Sequence, residues 1–191
     1  VGATVFVDSY SDLTYVHMME SLSGDETLKA KRAFEQFASN HGVTIRHYHC
    51  DNGRFAEKTF MHDLEALGQT VTFCGVGAHH QNGVAENRIR QIRESSRTML
   101  LHAVHRWPQA VTIHLWPQAI MHAINIRNAL PRYIGSSSPL SPFSGTDVQP
   151  NLKDFHPFGS PVYVLRAPLQ NAQMFPKWDE RSRVGILLCH S

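Results

Sequence analysis

Residues 79–87 read His-His-Gln-Asn-Gly-Val-Ala-Glu-Asn, and the reading of this stretch decides the fold. Gly75, Gly77 and Gly83 make residues 75–83 a glycine-rich loop. From Val84 the pattern changes. Ala85, Ile89, Ile92, Ser96, Met99, Leu100 and Ala103 recur at helical spacing to about His105, which predicts a long amphipathic helix with Glu86 in its first turn.

Two further acids end apolar runs. Asp8 follows Val5-Phe6-Val7, and Asp51 follows the run from Val43 to Cys50 and opens Asp51-Asn52-Gly53. Carboxylates delivered by two strand ends and one helix start are the oxygen ligands a hard cation such as Mg²⁺ takes. Two such ions, roughly 3.5–4 Å apart, hold the attacking and leaving oxygens of an in-line phosphoryl displacement. Each acid alone has a plainer reading. Asp8 suits a strand-ending turn, Asp51 an Asp/Asn-Gly hairpin, and Glu86 an i,i+4 surface pair with Arg90. Three carboxylates gathered together repel one another unless a cation neutralises them, so the set points to a metal site.

The helix that carries Glu86 also carries phosphate-binding chemistry. Glu86, Arg90, Arg93 and Arg97 fall on one stripe opposite the apolar side, and arginine meets phosphate oxygens bidentately. Between Glu86 and Arg106 five arginines stand against two glutamates, a local excess of three. Asn52 and Gly53 shape the strand exit, while Gln81 and Asn82 supply hydrogen-bonding groups in the loop before the helix.

The segments "HCDNGRF" and "HHQNGVAEN" resemble those of retroelement integrases of the D-D-E type, within the ribonuclease H-like superfamily. The likeness is to copia-type long-terminal-repeat retrotransposons more than to retroviruses. It extends to "FHPFGSPVYVL" and "RSRVGILLCHS" near the end of the chain. The 34 residues between Asp51 and Glu86 are within one residue of the family's usual spacing. The chain departs from the copia pattern at His79-His80, where Pro-Gln is common, yet all three acids are present.

This resemblance implies a ribonuclease H-like α/β fold, with a mixed five-stranded sheet flanked by helices and a short C-terminal β extension. It implies a DNA integrase, a polynucleotidyl transferase that uses two Mg²⁺ or Mn²⁺ ions held by Asp8, Asp51 and Glu86. The substrates would be element DNA ends and target DNA, with Asn52, Gly53, Gln81, Asn82, Arg90, Arg93 and Arg97 as DNA contacts. A homo-oligomer, an upstream zinc domain, the remainder of a polyprotein and an intracellular virus-like particle in cytoplasm and nucleus are implied in the same way. The alternatives are a ribonuclease H-like nuclease and a catalytically silent DNA-binding or assembly module.

The chain is 191 residues long, 42% hydrophobic, with a net charge of +2. That length suits one domain with an extension: a catalytic core over 1–130, a Pro/Ser/Gly-rich linker over 131–150 and a partial SH3-like β unit over 151–191. Cys50, Cys74 and Cys189 are odd in number and widely spaced, which argues against a disulfide framework and fits a reducing compartment. His47/His49 and His102/His105 lack further partners at zinc-ligand spacing. No signal peptide or long apolar run suggests secretion or a membrane span. With no initiator Met, the chain reads as a piece of a polyprotein.

Within the core, strands are expected at 4–9, 13–19, 43–50 and 70–74. A capped helix is expected from Ser23-Gly24-Asp25-Glu26 to Asn40, a short helix over 57–67, and a helix interrupted by Pro108 and Pro117 reaching about Ala129. Strands over 155–166 and 183–189 would form the extension.

Overall fold

The computed structural model describes residues 2–75, 82–147, 150–174 and 176–189. The chain divides into two compact units, one drawn from 1–94 and 124–150, the other from 95–123 and 151–191.

In the first unit, β1 (Gly2–Val7) pairs antiparallel with β2 (Thr14–Met19), in a register from Gly2↔Met19 to Val7↔Thr14. Between them the chain turns tightly. Asp8 N donates to Leu13 O and Asp12 N to Asp8 O, both at 2.9 Å, and Asp12 takes the left-handed φ of +63°. Aspartate is among the few residues that enter that region readily. Helix α1 (Gly24–Asn40) starts as its sequence suggests, with Ser23 Oγ accepting from Glu26 N at 3.3 Å. The reciprocal half of the capping box differs. The Glu26 carboxylate accepts from Glu20 N and Lys29 Nζ instead, fastening the end of β2 to the helix start.

Strand β3 (His47–Cys50) pairs in parallel with β4 (Thr70–Phe73), and α2 (Lys58–Ala66) forms the crossover between them. Aromatic rings join these elements. Phe6 of β1 stacks on Phe34 of α1 at 4.7 Å, and Tyr48 of β3 meets Phe60 of α2 edge-on at 6.1 Å. Ala30, Phe34, Tyr48, Phe60 and Leu64 are buried in this core.

The five-stranded sheet is not seen. Among the described residues six strands form three separate two-stranded sheets. Only four core strands are legible as apolar runs, and β3 and β4 are just four residues long, so their ladder ends with each other. The segment from Val43 to Arg46, expected as strand, is coil. Among the described residues the β1–β2 and β3–β4 pairs are separate sheets, joined by ring packing between Phe6 and Tyr48.

The segment 131–150, read as a linker, packs within the first unit. Its helix α5 (Leu140–Ser144) buries Phe143 with Leu13 and Ala38, the ring 6.0 Å from that of Phe37.

Helix α3 (Gly83–Arg106) and helix α4 (Trp116–Ala129) each contribute to both units. Pro117 falls in the first turn of α4, where its missing N–H costs no helical bond. In the second unit Leu100, Ala103, Val111, Ala119 and Phe158 form a core. The expected β extension is one antiparallel pair, β5 (Pro161–Leu165) with β6 (Ser182–Ile186), and helix α6 (Ala167–Gln170) lies between the two strands in sequence. Gly159 leads into β5 at φ +76°, where an added Cβ would lie 2.8 Å from Ala103 Cβ.

Candidate active site

Each of the three acids stands at the end of a regular element. β1 ends at Val7 and is followed by Asp8; β3 ends at Cys50 and is followed by Asp51; Glu86 lies in the first turn of α3. The strands that precede the two aspartates share one core, since the Phe6 and Tyr48 rings lie 6.2 Å apart.

Asp8 is half-buried, and its Oδ2 accepts from Ser11 N at 2.7 Å and Ser11 Oγ at 2.6 Å. Asp51 is exposed, and its Oδ1 accepts from Gly53 N at 3.3 Å. A Cβ on Gly53 would lie 3.3 Å from the same oxygen, so glycine keeps that flank of the carboxylate open. Asn52 Nδ2 donates to Cys74 O at 2.8 Å, which ties the exit of β3 to the end of β4.

Cys50, just before Asp51, is buried. Burial, then the Asp51 charge, then Cys74 push its thiol up to about 12. It is therefore a protonated packing residue at neutral pH and not a nucleophile. Glu86, Arg90, Arg93 and Arg97 are all exposed, as the stripe predicts, and Arg90 Nη2 donates to Asn87 Oδ1 at 2.7 Å. Asn82 is half-buried one residue before α3, and Gln81 lies outside the described residues.

The buried side of α3 differs from the sequence reading. Arg88 is 4% exposed and Ile92 6%, whereas Ile89, expected inside, is 49% exposed. The cause is an ionic fastening. Arg88 Nη1 donates to Asp12 O at 3.0 Å and also reaches Thr14 Oγ1, while Arg88 Nη2 bonds Asp12 Oδ1. Arg88 and Asp12 were absent from the expected site. An arginine four residues before Ile92 and eight before Ser96, in line with an apolar stripe, is the signal that marks it.

Whether the residues fit a divalent ion has two sides. Three carboxylates are the hard oxygen donors Mg²⁺ prefers, and none of the three is deeply buried. Among the described residues, however, no group of three or more His, Cys, Asp or Glu side chains is arranged to hold a metal ion.

By sequence the chain matches no protein-family profile and no curated protein. By structure it resembles retroviral integrases. The simian T-cell lymphotropic virus intasome, solved in complex with PP2A regulatory subunit B56 gamma, aligns over 96% of this chain at a TM-score of 0.58 and 15% identity. The chain spans 60% of the length of that protein. The catalytic core of bovine immunodeficiency virus (BIV) integrase aligns over 74% of this chain and 84% of its own length, with a TM-score of 0.53 and 19% identity. The HTLV-2 integrase catalytic core in complex with magnesium, in a trimeric form, covers 73% of this chain and 82% of its own, at 0.51 and 20%. The fold is similar to that of these integrase catalytic cores. At these identities the likeness concerns the fold, and the chemistry rests on the residues.

Proposed function

We propose that this chain is the catalytic core of a copia-type retrotransposon integrase, which trims element DNA ends and joins them to target DNA by metal-dependent phosphoryl transfer. The observation that supports it most is positional. In an integrase-core fold, Asp8 and Asp51 directly follow β1 and β3, and Glu86 opens α3. Asp8, Asp51 and Glu86 would hold the divalent ions, whose chemistry is to polarise the scissile phosphate and to ease deprotonation of the attacking water or 3′-hydroxyl.

The chain's own residues do the rest. Bringing three carboxylates together raises mutual repulsion, so assembly of the site is coupled to cation binding. Asn52 holds the β3 and β4 ends in register beneath Asp51. Arg90, Arg93 and Arg97 offer guanidinium groups to backbone phosphates along the helix that begins at Glu86, with Gln81 and Asn82 in the preceding loop. DNA ends and target DNA are the substrates of this reading. A homo-oligomer, an upstream zinc domain, the surrounding polyprotein and a virus-like particle complete it as its setting.

One observation favours the silent DNA-binding module instead: Asp8 Oδ2 and Asp51 Oδ1 are each engaged by a donor within their own turn. The two readings separate in one experiment. The chain is incubated with Mn²⁺ or Mg²⁺ and a labelled duplex that mimics an element end. Nicking and joining that fall by more than about 100-fold in Asp51→Asn support the integrase. DNA binding with no metal-dependent cleavage supports the silent module.

A further inference from the structure

Three arginines converge on one carboxylate in the β1–β2 turn. Arg88 from α3, Arg127 from the end of α4, and Arg132 just beyond it all pair with Asp12, Arg127 Nη2 at 3.4 Å from Asp12 Oδ2. Thr14 and Asn128 brace the arrangement, with Asn128 Nδ2 donating to Thr14 O at 2.7 Å and Thr14 N to Asn128 Oδ1 at 3.0 Å. All of these residues belong to the first unit.

The charges do not balance. Among the described residues one carboxylate faces three guanidinium groups, and the side chains are only 5%, 23% and 35% exposed for Arg88, Arg127 and Arg132. Partly buried cations in excess are costly unless an anion compensates them. The Nε atoms of Arg88 and Arg127 are buried without a hydrogen-bond partner. Burial, and to a lesser degree the charge of Arg88, pushes the Arg127 guanidinium down to about 10. Exposure rises from Arg88 to Arg132, so the trio opens outward on the Arg132 side.

We infer that Arg88, Arg127 and Arg132 form a phosphate-binding site that takes a backbone phosphate of a DNA strand. Planar guanidinium forks bond phosphate oxygens in pairs, and a phosphodiester brings the anion the cluster lacks. Asp12 N donates to Asp8 O, so the site sits on the same turn as Asp8. A strand anchored there is held at the loop that carries one of the three acids. The inference rests on the proposal that DNA is the substrate. It adds an anchor away from the exposed stripe of Arg90, Arg93 and Arg97.

The test is binding of a fluorescent short duplex, followed by anisotropy in EDTA so that cleavage plays no part. Arg132→Gln is expected to weaken binding about tenfold and to reduce the slope of log affinity against log salt by about one. Arg166→Gln, whose exposed side chain pairs with Glu180 at 3.1 Å in the second unit, leaves both unchanged. Asp12→Asn keeps a residue that tolerates the left-handed turn and removes the competing charge, so it binds the duplex more tightly. Wild-type affinity and slope in both Arg127→Gln and Arg132→Gln would overturn the inference. Inorganic phosphate that raises the melting temperature while Arg132→Gln leaves duplex affinity unmoved would assign the trio to free phosphate and overturn the nucleic-acid assignment. Failure of metal-dependent joining would leave these binding results standing, so the two proposals fail separately.

Discussion

Lys31 carries a charge into the interior of the first unit. Its side chain is fully buried, 2.7 Å from Asp63 Oδ2 and 2.8 Å from Glu35 Oε1. Tyr48 OH donates to Glu35, and Arg32 makes a second pair with Asp63, so every charge has a partner. Burial opposes ionisation of Asp63, but bonds from Lys31 and Arg32 outweigh it and hold the carboxyl below its ordinary range. A lowered carboxyl pKa contributes stability above the unfolded value near 4, and that contribution is lost as pH falls through the folded value. Lys31→Met removes the buried cation from Glu35 and Asp63, leaving Asp63 only its Arg32 pair, and is expected to cost about 3 kcal/mol in urea unfolding at pH 7. The variant should also lose less further stability than wild type as pH falls below the unfolded value. At this scale the acids were legible because each sits beside an unmistakable run or turn. Lys31 and Arg88 were not, since a single cation on a helix reads as surface until its partners, 32 and 76 positions away, are known.

At the scale of elements, α3 shows how an ion pair resets a helix. The apolar pattern alone places both Ile89 and Ile92 inside, yet Arg88 occupies the buried stripe and turns Ile89 outward. Ile92→Ala is expected to cost about 2–5 kcal/mol, while Ile89→Lys changes stability by less than about 0.5 kcal/mol. Equal losses from the two would contradict the observed register; denaturant melts of both variants decide it. Helix boundaries were legible where capping chemistry is local, as at Ser23 and at Gly42, which leaves α1 at φ +74°. Strand extents were less so. The run from Val43 to Cys50 has strand composition throughout, but only His47–Cys50 finds a partner in β4. A strand's length is set by what lies beside it, and the sequence of one strand does not contain that.

At the scale of the whole molecule, likeness to integrase cores and the placement of three acids point the same way, while the sheet is less continuous than the resemblance implied. The segment 131–150 reads as linker because Ser, Pro and Gly dominate it, and that composition masks Leu140 and Phe143, which pack it against Leu13 and Ala38. The two units interleave in sequence because α3 and α4 each serve both, a division no local pattern encodes. The catalytic account stands or falls on whether the three carboxylates meet on a divalent ion. The direct measurement is titration of Mn²⁺ into the chain with free ion counted by electron paramagnetic resonance, repeated for Asp8→Asn, Asp51→Asn and Glu86→Gln. The account predicts saturable binding in the parent chain that each substitution weakens by about tenfold or more. Binding that is absent, or that all three variants retain at parental affinity, would contradict it.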